Sequence, residues 1–215
     1  MSQTTAAEKG ALRRQVRATR AKLAAAARAE ASAAIRERLF GWTGFQRATG
    51  VHCFVSMAEE VDTGPIFERC WADGKKTFVP FQDKERGVLG WARRNPGDPL
   101  VEAPFGVLEP PPHLRRPVAA GEIDLVLVPG VAFDREGYRL GYGKGFYDQF
   151  LGSFVSQNNS GDAGPVSGAH PMPGPGAIQA IALAFSVQMV PRVPREHWDV
   201  RIKMILTERE FIIVG

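Results

Sequence analysis

Leu125-Val-Leu-Val128, set between Asp124 and Pro129, is a run of four large apolar residues with no polar alternation. A strand of that kind is covered on both faces, which places it in the middle of a parallel sheet with helices above and below. The rest of the chain reads as elements that can build such a sheet. Val51 to Met57, preceded by Gly50, is a second buried strand, and Lys76 to Pro80 and Gly87 to Arg93 are two more. Gln179 to Phe185, Lys203 to Leu206 and Phe211 to Val214 close it. Thr5-Ala-Ala-Glu8 has the form of a capping box, opening a helix that runs toward Phe40 with a break near Ala24 to Ala27. Gly41 ends that helix. Asp62-Thr-Gly-Pro65 starts a short helix over Ile66 to Asp73, closed by Gly74, and another helix covers Phe146 to Leu151. Strands alternating with helices define an α/β fold with a mostly parallel sheet covered on both faces.

The 215 residues, 44% of them hydrophobic and 23% charged, suit one domain spanning 1–215 with a substantial core. Asn95 to Pro117 carries seven prolines and is read as an ordered surface loop. Ser153 to Gly176 nearly lacks large apolar residues and is rich in Gly, Ser, Pro and Asn, so a flexible insertion is expected at 153–176. Cys53 and Cys70 have no metal-ligand spacing and suit buried thiols in a reducing cytoplasm. The polar N-terminus has no signal-peptide core, and no window approaches ~18 apolar residues, so no membrane span is expected.

Gly141, Gly143 and Gly145 alternate around Tyr142 and Lys144, between a strand and a helix. Alternating glycines let a backbone turn tightly and gather amides into a nest for anionic oxygens, to which the next helix adds its positive end. Three glycines alone describe a tight turn as well as a phosphate site. Lys144, Arg139 and the strand-loop-helix setting favour the phosphate. The pattern is neither a Walker A loop nor GxGxxG. Asp148 falls on the first turn of that helix, where a carboxylate can hold magnesium beside phosphates or simply stabilise a helix N-terminus; spacing alone leaves both readings open.

Lys9, Arg13, Arg17 and Arg20 recur at i, i+4, i+8 and i+11 and share a narrow sector of the first helix, beside the apolar Leu12, Val16 and Leu23. Such a stripe is either a solvated face or a set of cations reaching over the domain edge toward a ligand. A nucleic-acid surface is not expected, because Glu30 and Glu37 interrupt the charge and no aromatics are interleaved.

Five motifs fall in one order: Lys9-xxx-Arg13, Ser56-Met57-x-x-Glu60-Val61-Asp62-Thr63, Phe105-Gly-Val-Leu-Glu109-Pro110, Asp124-Leu-Val-Leu-Val-Pro-Gly-Val-Ala-Phe-Asp134, and Arg139-Leu-Gly-Tyr-Gly-Lys-Gly-Phe-Tyr-Asp148. With them the chain resembles the 5-formyltetrahydrofolate cyclo-ligase family over nearly its whole length, apart from the insertion. The resemblance implies a Rossmann-like three-layer α/β fold, related in architecture to sugar-phosphate isomerases and CoA transferases. It implies an ATP- and Mg²⁺-dependent enzyme converting 5-formyltetrahydrofolate to 5,10-methenyltetrahydrofolate through a phosphorylated formyl intermediate. Lys9, Arg13 and the segment Arg139, Leu140, Gly141, Tyr142, Gly143, Lys144, Gly145, Phe146 and Tyr147 are implied to bind ATP, with Lys144 and Arg139 catalytic. Val55, Glu60 and Phe105, with Gly143 to Tyr147, are implied to face the folate, and Asp148 and Asp199 to flank the metal. The expected partners are ATP and 5-formyltetrahydrofolate alone, with neither nucleic acid nor membrane, and the expected working form is a cytoplasmic monomer.

The family's C-terminal motif, a His-Asp pair followed by another Asp, is altered here. Glu196-His197-Trp198-Asp199 is followed by Lys203, so Asp199 is kept, the later acid is lost, and His197 reads as structural.

Overall fold

The computed structural model describes residues 3–83, 85–116, 118, 121–143, 145–149, 151–152, 178–196 and 198–215. The expected insertion at 153–176 lies outside them. Helices α1 (Gln3–Ala21), α2 (Ala25–Gly41) and α3 (Thr43–Arg47) precede strand β1 (Gly50–Cys53), and α4 (Gly64–Ala72) joins it to β2 (Lys76–Asp83) and β3 (Val88–Arg94). The proline-rich stretch that follows carries the short pair β4 (Val101–Glu102) and β5 (Leu108–Glu109). Then come β6 (Leu125–Val128), the hairpin β7 (Ala132–Phe133) and β8 (Arg139–Leu140), β9 (Gln179–Leu183), β10 (Met204–Leu206) and β11 (Phe211–Ile213).

Seven strands form the main sheet in the order β11-β10-β9-β6-β1-β2-β3. The five inner strands are parallel, and β3 and β11 are antiparallel edges. As the sequence anticipates, Leu125–Val128 is the centre: all four residues are buried, between parallel β1 and β9. Their side chains alternate. Leu125 and Leu127 pack with Ile35 and Leu39 of α2, Phe45 of α3 and Ile66 and Phe67 of α4. Val126 and Val128 face the other layer, with Ile202, Ile205 and Leu151. Each such side chain contributes roughly 1.5–3 kcal/mol when fully buried.

Taken in chain order, the parallel strands β1, β2, β6, β9 and β10 lie as 2-1-3-4-5. The order reverses between β1 and β6, and in sheets of this kind ligands sit beyond the carboxyl ends of the strands at that reversal. Two features aim side chains there. β1 stops at Cys53, earlier than the Met57 read from sequence, because the Phe54 carbonyl and the Ser56 amide turn to the side chain of Thr63. Thr63 Oγ1 donates to the Phe54 carbonyl at 2.9 Å and accepts from Ser56 N at 3.1 Å, and Thr63 N donates to Ser56 Oγ at 3.2 Å. The loop so closed carries Glu60.

The second feature is the β7–β8 hairpin, which the sequence reading leaves as loop. Asp134, fully buried, knots it: Oδ1 accepts Glu136 N and Tyr138 N at 3.0 Å each, and Oδ2 accepts Val193 N at 2.9 Å. Leu140 then packs with Val16 of α1, so α1 lies over the hairpin.

The helix starts differ from expectation at one place. Thr5 lies inside α1, which already begins at Gln3, so Thr5-Glu8 does not cap it. The break after Ala21 contains neither Gly nor Pro. Leu23 packs there against the first core cluster, and that contact rather than helix propensity turns the chain.

Candidate active site

The basic stripe of α1 divides. Arg17 is exposed, whereas Lys9 and Arg20 are buried and Arg13 is half-buried. Lys9 Nζ donates to Asp199 Oδ2 at 2.7 Å and to Glu196 Oε2 at 3.4 Å. Arg13 Nε donates to the Gly141 carbonyl at 2.8 Å. Arg20 donates to Glu59 at 3.3 Å and to the Tyr142 hydroxyl at 3.1 Å. Over the roughly 16 Å of helix axis between Lys9 and Arg20, one face thus reaches the 196–199 segment, the glycine-rich segment and the loop after β1. A groove of ≈ 360 Å³ runs along this face, lined by Arg13, Arg14, Arg17 and Glu59, so its charge is mainly positive.

Within the glycine-rich segment, Gly141 makes room for a cation. A Cβ there would lie 2.8 Å from an Arg139 guanidinium nitrogen. Gly143 has φ +105°, a conformation side chains rarely adopt, and Arg13 lies 3.6 Å from where its Cβ would be. Arg139, its side chain 3% exposed, donates to Asp148 Oδ1 at 2.6 Å and lies over the Tyr147 ring at 5.6 Å. Residues 146–149 are helical, with Asp148 N and Gln149 N both donating to the Gly145 carbonyl.

Glu60 is the buried acid of the site. Its Oε2 accepts Met57 N at 3.0 Å and its Oε1 accepts the Tyr142 hydroxyl at 2.6 Å. Burial raises its pKa above the usual carboxylate value, an effect the Tyr142 and Met57 hydrogen bonds and Arg20 oppose. The Tyr142 hydroxyl is in turn pushed up, by burial and then by the Glu60 charge. Glu60 and Arg20 pack closely with Phe54, Pro129 and Gly130 at the carboxyl ends of β1 and β6, the point where the strand order reverses.

Comparison with known proteins decides what this arrangement belongs to. The model of the 5-formyltetrahydrofolate cyclo-ligase family matches residues 5–208. The chain belongs to the 5-formyltetrahydrofolate cyclo-ligase family. Its relatives include the 5-formyltetrahydrofolate cyclo-ligase of Haemophilus influenzae, 28% identical over 196 residues, covering 91% of this chain and 95% of that protein. The mouse 5-formyltetrahydrofolate cyclo-ligase is 26% identical over 210 residues, with 95% and 96% covered. The solved structure of Aquifex aeolicus 5,10-methenyltetrahydrofolate synthetase superposes with a TM-score of 0.72 at 28% identity, covering 96% of this chain and 92% of that one. It is therefore an enzyme of the cyclo-ligase family, on the three-layer α/β fold the resemblance implies.

Against that family's pattern, several expected site residues meet directly: Lys9 with Asp199, Arg13 with Gly141, Arg139 with Asp148 and Tyr147, and Glu60 with Tyr142. The other expected residues sit at varied depths. Leu140 is buried against Val16 and Val131, so its side chain is part of the core, and its carbonyl accepts Val131 N at 2.7 Å. Val55 packs half-buried against the first core cluster. Phe146 is half-buried, and Gly145 exposed. Lys144 and His197 lie outside the described residues, as does the side chain of Phe105, whose backbone forms a short 3-10 turn at Pro104–Gly106. Lys203, where the family has an acid, is exposed.

Glu59, Glu196 and Gln188 were not legible as site residues. Glu59 and Glu196 pair with α1 across 39 and 187 positions of sequence, and nothing local signals that. Gln188 Nε2 donates to the Gly130 and Val131 carbonyls, fixing the backbone after β6. His52, in the middle of β1, has its pKa pushed down to about 3 by burial, which leaves it a neutral core residue.

Lys9 bridges two carboxylates that are 8% and 12% exposed. Lys9→Met is expected to remove the cation from between them and to destabilise the fold by about 3 kcal/mol, read as a lower urea midpoint at unchanged m-value. An unchanged midpoint would show that the bridge carries no stability.

Proposed function

We propose that this chain closes 5-formyltetrahydrofolate to 5,10-methenyltetrahydrofolate with its own Lys9, Arg13, Arg139, Lys144 and Glu60. The observation that carries the assignment is that α1, the glycine-rich segment and the Glu60 loop are tied together by hydrogen bonds at the reversal of the sheet order. The family's reaction consumes ATP. In the proposed course, the formyl oxygen attacks the γ-phosphorus and the bond to ADP breaks, giving an iminium phosphate at N5. The N10 lone pair adds to the former formyl carbon and N10 loses its proton. The carbon–oxygen bond then breaks, inorganic phosphate leaves, and the positive charge is shared between N5 and N10.

Little of this asks the protein for covalent chemistry; it asks for alignment and for positive charge where the phosphoryl group passes. Arg13 and Arg139 lie on either side of Gly141 and supply planar, multidentate donors suited to phosphate oxygens. Lys9 is already engaged by two carboxylates, but an ammonium has three donors, so a phosphate oxygen can share it. Lys144, between two glycines of the motif, adds a further charge in this reading. Glu60 accepts from N–H donors of the folate, and Val55, Phe105 and the segment from Gly143 to Tyr147 complete that side. The substrates reach the enzyme as free small molecules.

Among the described residues no group of three or more His, Cys, Asp or Glu forms a dedicated cation cage. Asp148 and Asp199 nevertheless fit magnesium arriving with a triphosphate, since that ion takes one or two carboxylates and fills its octahedron with phosphate oxygens and water. Among the described residues, each has one oxygen hydrogen-bonded by a basic side chain and no such bond on the other. Bound there, Mg²⁺ would supply charge neutralisation on the β- and γ-phosphates.

Purified protein with ATP, Mg²⁺ and 5-formyltetrahydrofolate is expected to give the absorbing methenyl product with one ADP per turnover, and chelation of Mg²⁺ is expected to stop it. Folded protein that makes no product under these conditions overturns the reading.

A further inference from the structure

Both oxygens of Glu60 are occupied, by donors held in different ways. The Met57 amide belongs to the loop that Ser56 and Thr63 close, and it accompanies Glu60 wherever that loop goes. The Tyr142 hydroxyl comes from another part of the chain. Tyr142 stands between Gly141 and Gly143, with its residue surface 41% exposed even though its hydroxyl meets the buried Glu60 and Arg20. A residue flanked by two glycines can swing with little steric cost in its neighbours. Among the described residues, two contacts hold it in place: the hydroxyl on Glu60 and Arg20, and Arg13 on the Gly141 carbonyl next to it.

Resting on the reading of Glu60 as the folate-facing acid, we propose that Tyr142 is a positioning residue that couples the two substrate sites. Its hydroxyl holds Glu60 Oε1 in the free enzyme, gives that oxygen up to N–H donors of the folate, and is released when nucleotide phosphates draw Arg13 away from Gly141. Arg20 stays behind. It is 1% exposed on α1, keeps Glu59, and continues to balance the Glu60 charge after Tyr142 leaves. The charged and titratable groups around Glu60 are therefore Arg20, Glu59, Tyr142 and the buried Tyr147, and among the described residues Tyr142 is the hydrogen-bond partner of Glu60 that belongs to the nucleotide segment.

Since one movement serves both ligands, each must tighten the other by the same factor. The test is calorimetric titration of the full chain with 5-formyltetrahydrofolate, with and without a non-hydrolysable ATP analogue and Mg²⁺. In the wild type the analogue is expected to lower the folate Kd roughly fivefold or more. Tyr142→Phe, which keeps the ring and loses the hydroxyl, is expected to bind folate without the analogue as tightly as the wild type does with it, so that the ratio shrinks to within about twofold. A wild type without coupling, a Phe variant with the full wild-type ratio, or a Phe variant that binds folate more weakly overturns the proposal. Glu60→Gln separates the two readings. Unchanged folate affinity in that variant removes Glu60 from the folate site altogether, whereas lost affinity there with intact coupling in Tyr142→Phe removes only the role of Tyr142.

Discussion

Arg139→Ala is expected to lower kcat and kcat/KM together by about 10³-fold, the scale of an arginine that meets charge on a transferring phosphoryl group. Arg139 is suited to that task because the fold has already dehydrated it. Its side chain is 3% exposed, it lies over Tyr147, and Gly141 leaves it room that any Cβ would take away. Its cost to stability should be small by comparison. Asp148, the partner left behind, is 25% exposed and can be hydrated, so about 1–2 kcal/mol and a few degrees of Tm are at stake. Arg139→Lys keeps the charge and loses the planar fork, and belongs between the two, at about 10²-fold. Steady-state kinetics alongside thermal melts decide the matter. Wild-type kcat with only the loss in Tm would make Arg139 a structural residue.

Glu60→Gln is expected to raise the KM for 5-formyltetrahydrofolate by roughly 10- to 100-fold, the worth of a hydrogen bond to a charged acceptor, while the KM for ATP stays within about twofold. The same change should leave the fold as stable or more so at neutral pH. Burial raises the Glu60 pKa from its ordinary 4.5, so between that value and the raised one the folded state holds more protons than the unfolded chain. Stability then falls as pH rises through that window, and the ionised acid is a net cost above it. The neutral amide has no such cost. The Tm advantage of Glu60→Gln is therefore expected to be largest at neutral pH and to shrink on acidification toward 4.5. A variant less stable at every pH would mean that the pairing of Glu60 with Tyr142 and Arg20 outweighs its burial.

The contrast between these two residues runs along the boundary between local and long-range information. Arg139 and Asp148 are nine positions apart within one motif, and the chemistry of an arginine, three glycines and an acid in that order is visible in the sequence. Glu60 and Tyr142 are 82 positions apart, and their hydrogen bond exists only because the sheet order brings the loop after β1 beside the segment after β8. The same holds for Lys9, which local pattern presents as one cation of a stripe and the fold commits to Glu196 and Asp199.

The sequence alone determined the fold class, through the unbroken apolar run of Leu125–Val128, because a strand without a polar face has to be covered on both sides. It also marked the segment proposed to handle the anion, because alternating glycines, a lysine and an arginine have a local chemical meaning. The tertiary structure decided which stripe residues turn inward, where the first helix breaks, and that Leu140 is core. Each of those outcomes is set by contacts between residues far apart in the chain, whose free energies exceed the few tenths of a kcal/mol that separate local propensities.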